Sequence, residues 1–554
     1  MTRIVIIGGV AGGASAAARA RRMSESASIV MFERGDYVSF ANCGLPYHIG
    51  GDIESRDALL LQTPQSFKQR FNVEVRVRSN VEAINPTEQT VTVRNLDTNE
   101  CYQQPYDKLL LSPGAKSVPP PIEGLSSNRT FTLRTIPDMD QIQALIDRDK
   151  PSHATVLGGG FIGLEAAEAL RQRGIEVALV EFGKQVMANV DAEMASPLHQ
   201  ELRDHGVDLR LATALTAVAD NGDSLTLTLS NGTSLNTELL ILATGVKPET
   251  ELAKQAGIAL GPTGGIQVNS RMETSVANIF AAGDAVEHVD LVTGQAALIP
   301  LAGPANRQGR IAADNMLGGD KHYQATQGTS VCRVFGLTIA ATGSSEKALL
   351  KAKRPFEKIY VHPMNHAGYF PGASAVSLKL LFNPDDGTIL GAQAVGKDGI
   401  DKRIDVLAMA IRANLSVFDL EEQELCYAPP YGSAKDVVNL AGFVAANYLR
   451  GESDICQVED VLAPSPEQVI LDVRNPPELA NVGTIDHAIN IPLDSLRQRL
   501  DELDPTKEYL VSCMVGLRAH VATRLLLNSG FKAKNMTGGY KTYQMVKAAR
   551  AVAP

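Results

Sequence analysis

The stretch RIVIIGGVAGG, residues 3–13, decides the fold of the first part of the chain. Its apolar, β-branched run at 3–7 predicts a short strand, the glycines at 8–13 predict a turn, and the alanine-rich run ASAAARARRM that follows predicts a helix. A second apolar run, SIVMF at 28–32, ends in Glu33. Strand, glycine turn, helix, strand and acidic residue is the order of a dinucleotide-binding βαβ unit.

The same order recurs from residue 154, where ATVL precedes Gly158-Gly-Gly-Phe-Ile-Gly163, a helical stretch, the run EVALV and Glu181. The glycines let the backbone approach a pyrophosphate, which sits at the N-terminus of the following helix. Each terminal acid favours a free ribose hydroxyl over a 2′-phosphate, and no arginine follows Glu181. The second copy therefore predicts NADH rather than NADPH. The first copy departs from the pattern at Val10, where the middle glycine would stand.

Composition limits the remaining possibilities. A chain of 554 residues, with 44% hydrophobic and 21% charged residues, predicts three or four globular domains. The net charge of −10 argues against nucleic acid or an anionic membrane as the main partner, and no apolar run approaches the roughly 18 residues of a membrane span. The chain enters a predicted strand directly, so no signal peptide is expected. Six scattered cysteines without CxxC spacing predict no metal site, no disulfide scaffold and a reducing cytoplasm.

Further stretches place the first 450 residues in a known class. Together with LLLSPGA (109–115), LLILATGVKP (239–248) and NIFAAGDAVE (278–287), the two units resemble the two-dinucleotide-binding flavoprotein reductases. The resemblance implies FAD at the first turn, with Asp284 bonding the ribityl chain, and NADH at the second turn. The implied FAD residues are Gly8, Val10, Ala11, Gly12, Gly13, Glu33, Asn42, Gly283, Asp284 and Ala302. The implied NADH residues are Gly158, Gly160, Gly163 and Glu181.

One cysteine distinguishes subfamilies of this class. In SFANCGLPY, residues 39–47, Cys43 has no second cysteine at the CxxxxC spacing of the glutathione-reductase relatives. A single thiolate has to cycle through a mixed disulfide with a small thiol, or through a sulfenate. The pattern resembles coenzyme A-disulfide reductases, which use the first route, and NADH peroxidases and oxidases, which use the second. The latter place a histidine in the first turn where this chain has Ala11, which favours the mixed disulfide.

Two tyrosine-containing stretches, HAGYFPGA and CYAPPYGSAKD, resemble the coenzyme A-disulfide reductase branch. In that branch tyrosines of the partner subunit complete the active site, which implies a homodimer through residues 326–450. Tyr427 and Tyr369 are then the acid and polarising candidates near Cys43. Coenzyme A carries phosphates, so cations are expected in its channel. The candidate substrate-binding residues are Ser15, Arg19, Arg22, Ser39 and Asn42 by resemblance, with Lys68, Arg70 and Tyr431 in addition.

The C-terminal part carries a second signal. VILDVRNPPELANVGTIDHAINIPL (469–493), the loop Cys513-Met-Val-Gly-Leu-Arg518 and TGGY (537–540) resemble the rhodanese, or sulfurtransferase, domain. Backbone N–H groups of such a loop, at a helix N-terminus beside Arg518, stabilise a thiolate or a persulfide anion. The loop predicts that Cys513 carries sulfane sulfur, with Arg518 as a catalytic partner.

These observations predict an α/β protein with two dinucleotide-binding (Rossmann-like) domains, an α+β dimerisation domain and a small α/β rhodanese domain. The expected boundaries are an FAD-binding domain at 1–115 and 246–325, an NADH-binding domain at 116–245, a dimerisation domain at 326–450, a linker at 451–466 and a rhodanese domain at 467–554.

The combination predicts an FAD-dependent, NADH-driven reductase of coenzyme A persulfide, polysulfide or coenzyme A disulfide. Cys43 forms a mixed disulfide with coenzyme A in this scheme, and Cys513 supplies sulfane sulfur. Two alternatives stay open. The first is an NADH oxidase or peroxidase with a passenger rhodanese domain. The second is a sulfur-relay or redox-sensing protein that delivers persulfide to another protein.

Overall fold

The computed structural model describes residues 1–552, which form 30 strands and 17 α-helices. The strands are β1 (Arg3–Ile7), β2 (Ser28–Phe32), β3 (Glu74–Arg76), β4 (Ser79–Asn85), β5 (Thr90–Asn95), β6 (Cys101–Pro105), β7 (Lys108–Leu111), β8 (Ala115–Ser117), β9 (Thr130–Thr132), β10 (His153–Leu157), β11 (Glu176–Val180), β12 (Val207–Arg210), β13 (Leu215–Asp220), β14 (Leu225–Leu229), β15 (Ser234–Thr237), β16 (Leu239–Leu242), β17 (Val246–Pro248), β18 (Ile279–Ala281), β19 (His288–Val289), β20 (Ala296–Ala297), β21 (Ser330–Val334), β22 (Leu337–Gly343), β23 (Glu357–Val361), β24 (Val376–Phe382), β25 (Ile389–Gly396), β26 (Ile455–Cys456), β27 (Gln468–Asp472), β28 (Ile489–Asn490), β29 (Glu508–Ser512) and β30 (Lys532–Met536). The helices are α1 (Ala11–Met23), α2 (Leu45–Gly50), α3 (Pro64–Phe71), α4 (Ile136–Asp149), α5 (Phe161–Gln172), α6 (Ala192–Asp204), α7 (Glu251–Gln255), α8 (Ala302–Met316), α9 (Glu346–Ala352), α10 (Ile400–Arg412), α11 (Val417–Glu422), α12 (Val437–Leu449), α13 (Val458–Leu462), α14 (Pro476–Val482), α15 (Leu493–Leu496), α16 (Leu517–Asn528) and α17 (Gly539–Arg550).

The chain divides into two compact units. The first contains Met1–Val180 and Thr213–Gly328, and the second contains Glu181–Ala212 and the chain from Thr329 onward. No helix within residues 1–552 is long and apolar enough to cross a membrane.

The first unit is built around a parallel sheet in the order β18-β7-β1-β2-β3. Strand β1 lies at its centre, and four of its five residues are buried, because a parallel sheet covered on both faces requires a continuous apolar run. The carboxyl ends of parallel strands meet at one edge of the sheet. The first glycine turn after β1 and Glu33 after β2 therefore lie at the same edge, where ligands of open α/β sheets bind.

A second parallel group in this unit contains the neighbours β11-β10-β16-β9. It carries the second glycine turn between β10 and α5. Antiparallel sheets β4-β5-β6 and β13-β14-β15 accompany the two parallel cores, and β8 pairs with β17. Both predicted βαβ units are thus present.

The second unit contains an antiparallel sheet in the order β21-β22-β25-β24-β23. Every residue of β24 and β25 is buried, with helices α10 and α12 packed against this sheet. One member of the apolar strand β24 is charged, namely Lys379.

The C-terminal sheet of the second unit is parallel, in the order β26-β30-β29-β27-β28. The segment 451–466 differs from the expected linker, because β26 pairs with β30 and α13 follows it. Cys456, Val458 and Val461 join the core of this domain, although polar and proline residues dominate the segment. The predicted fold class, with two dinucleotide-binding domains, a dimerisation domain and a rhodanese domain, is confirmed.

Candidate functional site

The first glycine turn connects β1 to α1 along a path that a side chain would block. Gly8 has φ +96°, and a Cβ there would lie 2.0 Å from the Ser112 carbonyl oxygen. Gly12 and Gly13 are buried, and a Cβ on Gly13 would lie 1.9 Å from the Gly8 carbonyl oxygen. Val10 precedes α1 without a side-chain cap, and the first helical turn holds no acidic residue. The N–H groups of this helix end can therefore bind an anion such as a pyrophosphate.

Two acidic side chains follow strands of the same parallel sheet. Glu33 follows β2, and its carboxylate accepts a hydrogen bond of 2.9 Å from the backbone N–H of Gly9. Asp284 follows β18 after Gly283, whose N–H donates a 2.9 Å hydrogen bond to the Gln308 side chain. Burial raises the pKa of the Asp284 carboxyl, against the opposing effect of the positive charge of Arg134. In sheets of this kind an acid after the second strand bonds a ribose hydroxyl, so Glu33 has the expected position, and the roles of Glu33 and Asp284 stay predictions.

Sequence reasoning missed Arg134, a half-buried arginine between β9 and α4. Burial lowers the pKa of its guanidinium, and the negative charge of Asp284 acts in the opposite direction. The short loop that carries Arg134 has no motif, so its relation to Asp284 appears only in the folded chain. The predicted Ala302 is the first residue of α8 and is exposed.

The second glycine turn has the same backbone design. Gly158 has φ +108°, and a Cβ there would lie 2.4 Å from the Ala243 carbonyl oxygen. A Cβ on Gly163 would lie 1.9 Å from the Gly158 carbonyl oxygen, whereas a Cβ on Gly160 would meet open space. Glu181 directly follows β11 and accepts a 2.6 Å hydrogen bond from the backbone N–H of Gly183. The turn thus leaves room at Gly160 for a ligand, while Gly158 and Gly163 are required by the fold itself.

Cys43 lies in a single 3-10 turn, Asn42–Gly44, directly before α2, and is exposed. Although one side of the residue is open, burial on the other sides raises the pKa of its thiol, and the charges of Glu165 and Asp284 raise it further. Glu165, in α5, accepts a 3.1 Å hydrogen bond from the Tyr47 hydroxyl. Neither Glu165 nor Tyr47 was predicted, because only the fold brings α5 to the cysteine turn. The chain's own charges therefore disfavour a free thiolate at Cys43.

The predicted coenzyme A contacts have different surroundings. Arg19 forms a two-point ion pair with Asp314 (2.6 and 3.1 Å), and the Ser15 hydroxyl is hydrogen-bonded to Asn306. Lys68 donates a 2.8 Å hydrogen bond to Asn72. Ser39 has φ +46°, and its backbone N–H donates a 2.8 Å hydrogen bond to the Gly9 carbonyl. The other predicted contacts, Asn42, Arg22 and Arg70, are exposed. The charge of Arg19 is thus paired with Asp314 within the fold, and its contact with coenzyme A stays a prediction.

The structure brings two predicted tyrosines together in the second unit. The hydroxyls of Tyr369 and Tyr427 lie 3.2 Å apart, although 58 residues separate them in sequence. The side chains are 77% and 50% exposed, and Tyr431 is 71% exposed. The hydrogen bond to Tyr427 raises the pKa of Tyr369. A pair of phenols open to the surface can share and donate a proton to a bound molecule.

The Cys513 loop connects β29 to α16. Cys513 is buried, and the backbone N–H of Gly516 donates a 3.2 Å hydrogen bond to its sulfur. The backbone N–H of Tyr540, in the TGGY turn, donates a 2.7 Å hydrogen bond to the Cys513 carbonyl. Arg518 forms a two-point ion pair with Glu478 (2.6 and 2.7 Å). Such a loop stabilises one negative charge on the sulfur through backbone donors.

The first unit has two nucleotide-binding turns and an unpaired cysteine, which are features of a nucleotide-dependent disulfide oxidoreductase. The separate cysteine loop is that of a rhodanese-like domain. Comparison with protein families agrees. Residues 2–309 match the family described as pyridine nucleotide-disulphide oxidoreductase, residues 329–437 match its dimerisation domain, and residues 457–545 match the rhodanese-like domain. The chain belongs to the pyridine nucleotide-disulphide oxidoreductase family.

Individual relatives are similar over most of the chain. A coenzyme A disulfide reductase of Staphylococcus haemolyticus is 36% identical over 447 residues, covering 80% of this chain and 99% of the relative. The crystal structure of reduced CoADR-RHD from Bacillus anthracis has a TM-score of 0.96 and 50% identity, covering 98% of both chains. An NAD-dependent persulfide reductase from A. fulgidus has a TM-score of 0.91 and 34% identity, covering 98% of this chain and 100% of that one.

The family implies FAD and NAD(H), and the two turns fit these groups. Each turn has glycines that no other residue could replace without a backbone clash, and the first leaves a helix N-terminus uncapped. The match to the dimerisation domain indicates a homodimer. The predicted family and enzyme class are confirmed, whereas the individual site residues stay predictions.

Proposed function

We propose that the protein is an FAD-dependent, NADH-driven reductase of coenzyme A persulfide and related polysulfide or coenzyme A disulfide. The observation that carries the proposal is the environment of Cys43, an exposed thiol whose negative charge is disfavoured by burial and by two carboxylates. A mixed disulfide with a small thiol removes that charge. The names of the coenzyme A disulfide reductase and persulfide reductase relatives support the same substrate class.

Cys43 has no partner for an internal disulfide. All six cysteines lie within the described residues and are free thiols. Cys43 is followed by Gly44 and then by α2, whose first residues are Leu45-Pro-Tyr-His48. The turn therefore offers one sulfur to an incoming molecule. Ala11 stands where peroxidase and oxidase relatives are expected to have a histidine, so the histidine of the sulfenate route is missing at this position.

The proposed cycle begins at the Cys43 sulfur. The Cys43 thiolate attacks the sulfur of coenzyme A persulfide that is bonded to coenzyme A, the sulfur–sulfur bond breaks, and hydrosulfide leaves. The product is a disulfide between Cys43 and coenzyme A. Two electrons, which originate in NADH, cleave this disulfide into the Cys43 thiolate and coenzyme A thiolate. With coenzyme A disulfide as substrate, the first leaving group is coenzyme A thiolate instead of hydrosulfide.

The chain's residues divide the remaining work. The first turn, Glu33 and Asp284 would hold FAD, which when bound supplies two-electron transfer between NADH and a disulfide. The second turn and Glu181 would hold NADH. The tyrosine pair, Tyr369 and Tyr427, would donate a proton to the departing sulfur, delivered across the homodimer interface as the resemblance implies.

Cys513 has the complementary role. Its thiolate takes a sulfane sulfur from a donor to become a persulfide, and a coenzyme A thiol then removes that sulfur to form coenzyme A persulfide and regenerate Cys513. Each transfer exchanges one sulfur–sulfur bond for another and needs no outside oxidant. The second reaction supplies the substrate of Cys43.

Anaerobic NADH oxidation by the full chain tests the proposal. Coenzyme A persulfide, polysulfide with coenzyme A, and coenzyme A disulfide are compared, using Cys43→Ser and Cys513→Ser. Matched controls are Cys101→Ser for an exposed cysteine and Cys456→Ser for a buried cysteine of the rhodanese-like domain. We expect Cys43→Ser to lower kcat by roughly a thousandfold with every substrate. Cys513→Ser should slow only the polysulfide reaction.

Other outcomes identify the alternatives. Rapid NADH consumption under air or with H₂O₂, unchanged by sulfur donors, would establish an oxidase or peroxidase. Stoichiometric sulfur transfer to another protein without NADH turnover would establish a relay or sensor. Full polysulfide activity of Cys513→Ser would separate the two cysteines and remove their coupling.

A further inference from the structure

The exposed side chains next to Cys513 in its loop are apolar. Val515 and Leu517, on either side of Gly516, are 40% and 69% exposed. Arg518 ends the loop and is its one cationic side chain, and it interacts electrostatically with Cys513. A charged sulfur donor would therefore depend on Arg518 for a counter-charge, because the other exposed groups of the loop are apolar.

The nearby cations are already paired. Arg518 is bound at two points by Glu478, whose pKa this pair lowers to about 2, so the carboxylate stays ionised throughout the physiological range. Arg474 is fully buried and bound to the equally buried Asp472 at 2.6 Å. The fixed charges of these four side chains sum to zero. The Gly516 N–H donates its hydrogen bond to the Cys513 sulfur itself.

Backbone hydrogen bonds tie the Cys513 loop to the TGG turn. The Lys541 backbone N–H donates to the Met514 carbonyl at 3.0 Å. Thr537 and Thr542, on either side of the TGG turn, bond to strand β23 and to His362 at 2.8 Å each. The positive charge of Lys541 lowers the pKa of buried His362, after burial itself, which locates this cation beside the dimerisation domain.

From this geometry we infer that the Cys513 loop exchanges sulfane sulfur with persulfides and thiols carried on a neutral, partly apolar arm, and discriminates against thiosulfate. The inference rests on the proposed function, in which Cys513 serves a coenzyme A thiol, and it names the feature of the donor that the loop selects. Thiosulfate brings two negative charges to a sulfur that is itself negative, and sulfite must leave as an anion. A thioalkyl amide places methylene and amide groups against Val515 and Leu517 instead.

The transfer is balanced for both donors. The Cys513 thiolate attacks the outer sulfur, the sulfur–sulfur bond of the donor breaks, and Cys513 becomes a persulfide anion. The leaving group is sulfite from thiosulfate, or an alkyl thiolate from an alkyl persulfide. Only the leaving group's charge and the shape of its arm differ, so the ratio of the two rates reports the selectivity of the loop.

The test measures persulfide formation on the Cys513 peptide by mass spectrometry, using the full chain without NADH. The donors are thiosulfate and N-acetylcysteamine persulfide. Wild type should load from the alkyl persulfide at least tenfold faster. Val515→Lys adds a cation to the loop, and Glu478→Gln leaves Arg518 unpaired, so each should raise the thiosulfate-to-persulfide rate ratio about tenfold. Val521→Lys, one turn outside the loop, is the matched charge control and should leave the ratio within twofold.

Equal or faster loading of wild type from thiosulfate would overturn the inference, as would a ratio that neither Val515→Lys nor Glu478→Gln changes. Absence of loading from both donors would overturn it as well, because Cys513 would then not carry sulfur. NADH-dependent reduction of coenzyme A disulfide depends on Cys43 and is measured separately. Its loss with the donor ratio intact would refute the proposed function alone.

Discussion

Lys379 offers the sharpest test of the energetics of the second unit. Its side chain is fully buried in β24, and its ammonium group lies 2.8 Å from Asp191, 2.6 Å from Glu193 and 2.7 Å from Glu346. These three carboxylates are close enough to share a metal ion, but they surround an ammonium group instead. The three negative charges hold the pKa of Lys379 well above its ordinary value, against the effect of burial. Replacement by methionine keeps the volume and removes the charge.

We expect Lys379→Met to cost about 3–5 kcal/mol at pH 7.5, the range observed when one member of a buried ion pair is deleted. The cost should decrease in acid. In the wild type, burial acts to raise the pKa of Asp191 and Glu346, but Lys379 holds both below their ordinary values. Without Lys379 their folded pKa values rise above the unfolded values. The loss of stability in Lys379→Met is then full at pH values above the folded pKa of these two carboxyls, and it is relieved as the pH falls through that pKa.

Hydrogen-exchange mass spectrometry of the β24 peptide measures this local free energy directly. At 1.4 kcal/mol per factor of ten, the protection of β24 should fall by about 150-fold or more at pH 7.5 and by clearly less at pH 5. Lys116→Met is the control, because its pair with Glu251 is exposed and should contribute at most about 1 kcal/mol. A loss below fivefold, or an equal loss at both pH values, would refute the reasoning.

Three further predictions concern the second glycine turn, the Cys43 turn and the rhodanese-like domain. Gly163→Ala should lower the melting temperature measured without NADH, because a Cβ there clashes with the Gly158 carbonyl. Gly160→Ala should keep the wild-type melting temperature and weaken NADH binding in a titration. Equal melting temperatures of the two variants would contradict this geometry. Glu165→Gln should lower the pKa of the Cys43 thiol, which iodoacetamide should then alkylate faster near pH 8. Glu176→Gln is the surface control, and an unchanged alkylation rate in Glu165→Gln would contradict the prediction. The hydrogen bond to Arg518 lowers the pKa of Glu478 to about 2, so this ion pair contributes about 1 kcal/mol to the stability of the folded state above about pH 4.3. That contribution is lost as the pH falls toward 2. Glu478→Gln should abolish this acid dependence, measured as the hydrogen exchange of β29.

The glycine turns could be predicted because their constraint is local. Gly13 and Gly163 each approach the carbonyl of the first glycine of their own turn, within one βαβ unit, and such a unit leaves a fixed order of residue types in the sequence. The cysteine loop of the rhodanese-like domain is equally local. Its thiol, its N–H donor at Gly516 and its helix all lie within a few consecutive residues.

Charge pairing could not be predicted, because it depends on residues far apart in the chain. The ion pair of Arg19 was not predicted, because its partner Asp314 lies 295 residues away on α8. The effect of Glu165 on Cys43 arises only where α2 packs on α5. Lys379 gave no signal within an apolar strand, since its three partners come from α9 and from the segment that contains α6. A sequence shows which residues can ionise, but burial and partners decide what each charge does.

The contrast between the two cysteines gives the proposed sulfur path a direction. Cys43 is exposed and faces the charges of Glu165 and Asp284, so a neutral disulfide is favoured there over a thiolate. Cys513 is buried, and its sulfur accepts a backbone hydrogen bond from Gly516. We therefore propose that Cys513 acts before Cys43. Coenzyme A thiol takes the outer sulfur of a persulfide held in the Cys513 loop, and that sulfur leaves as hydrosulfide when Cys43 forms its disulfide with coenzyme A.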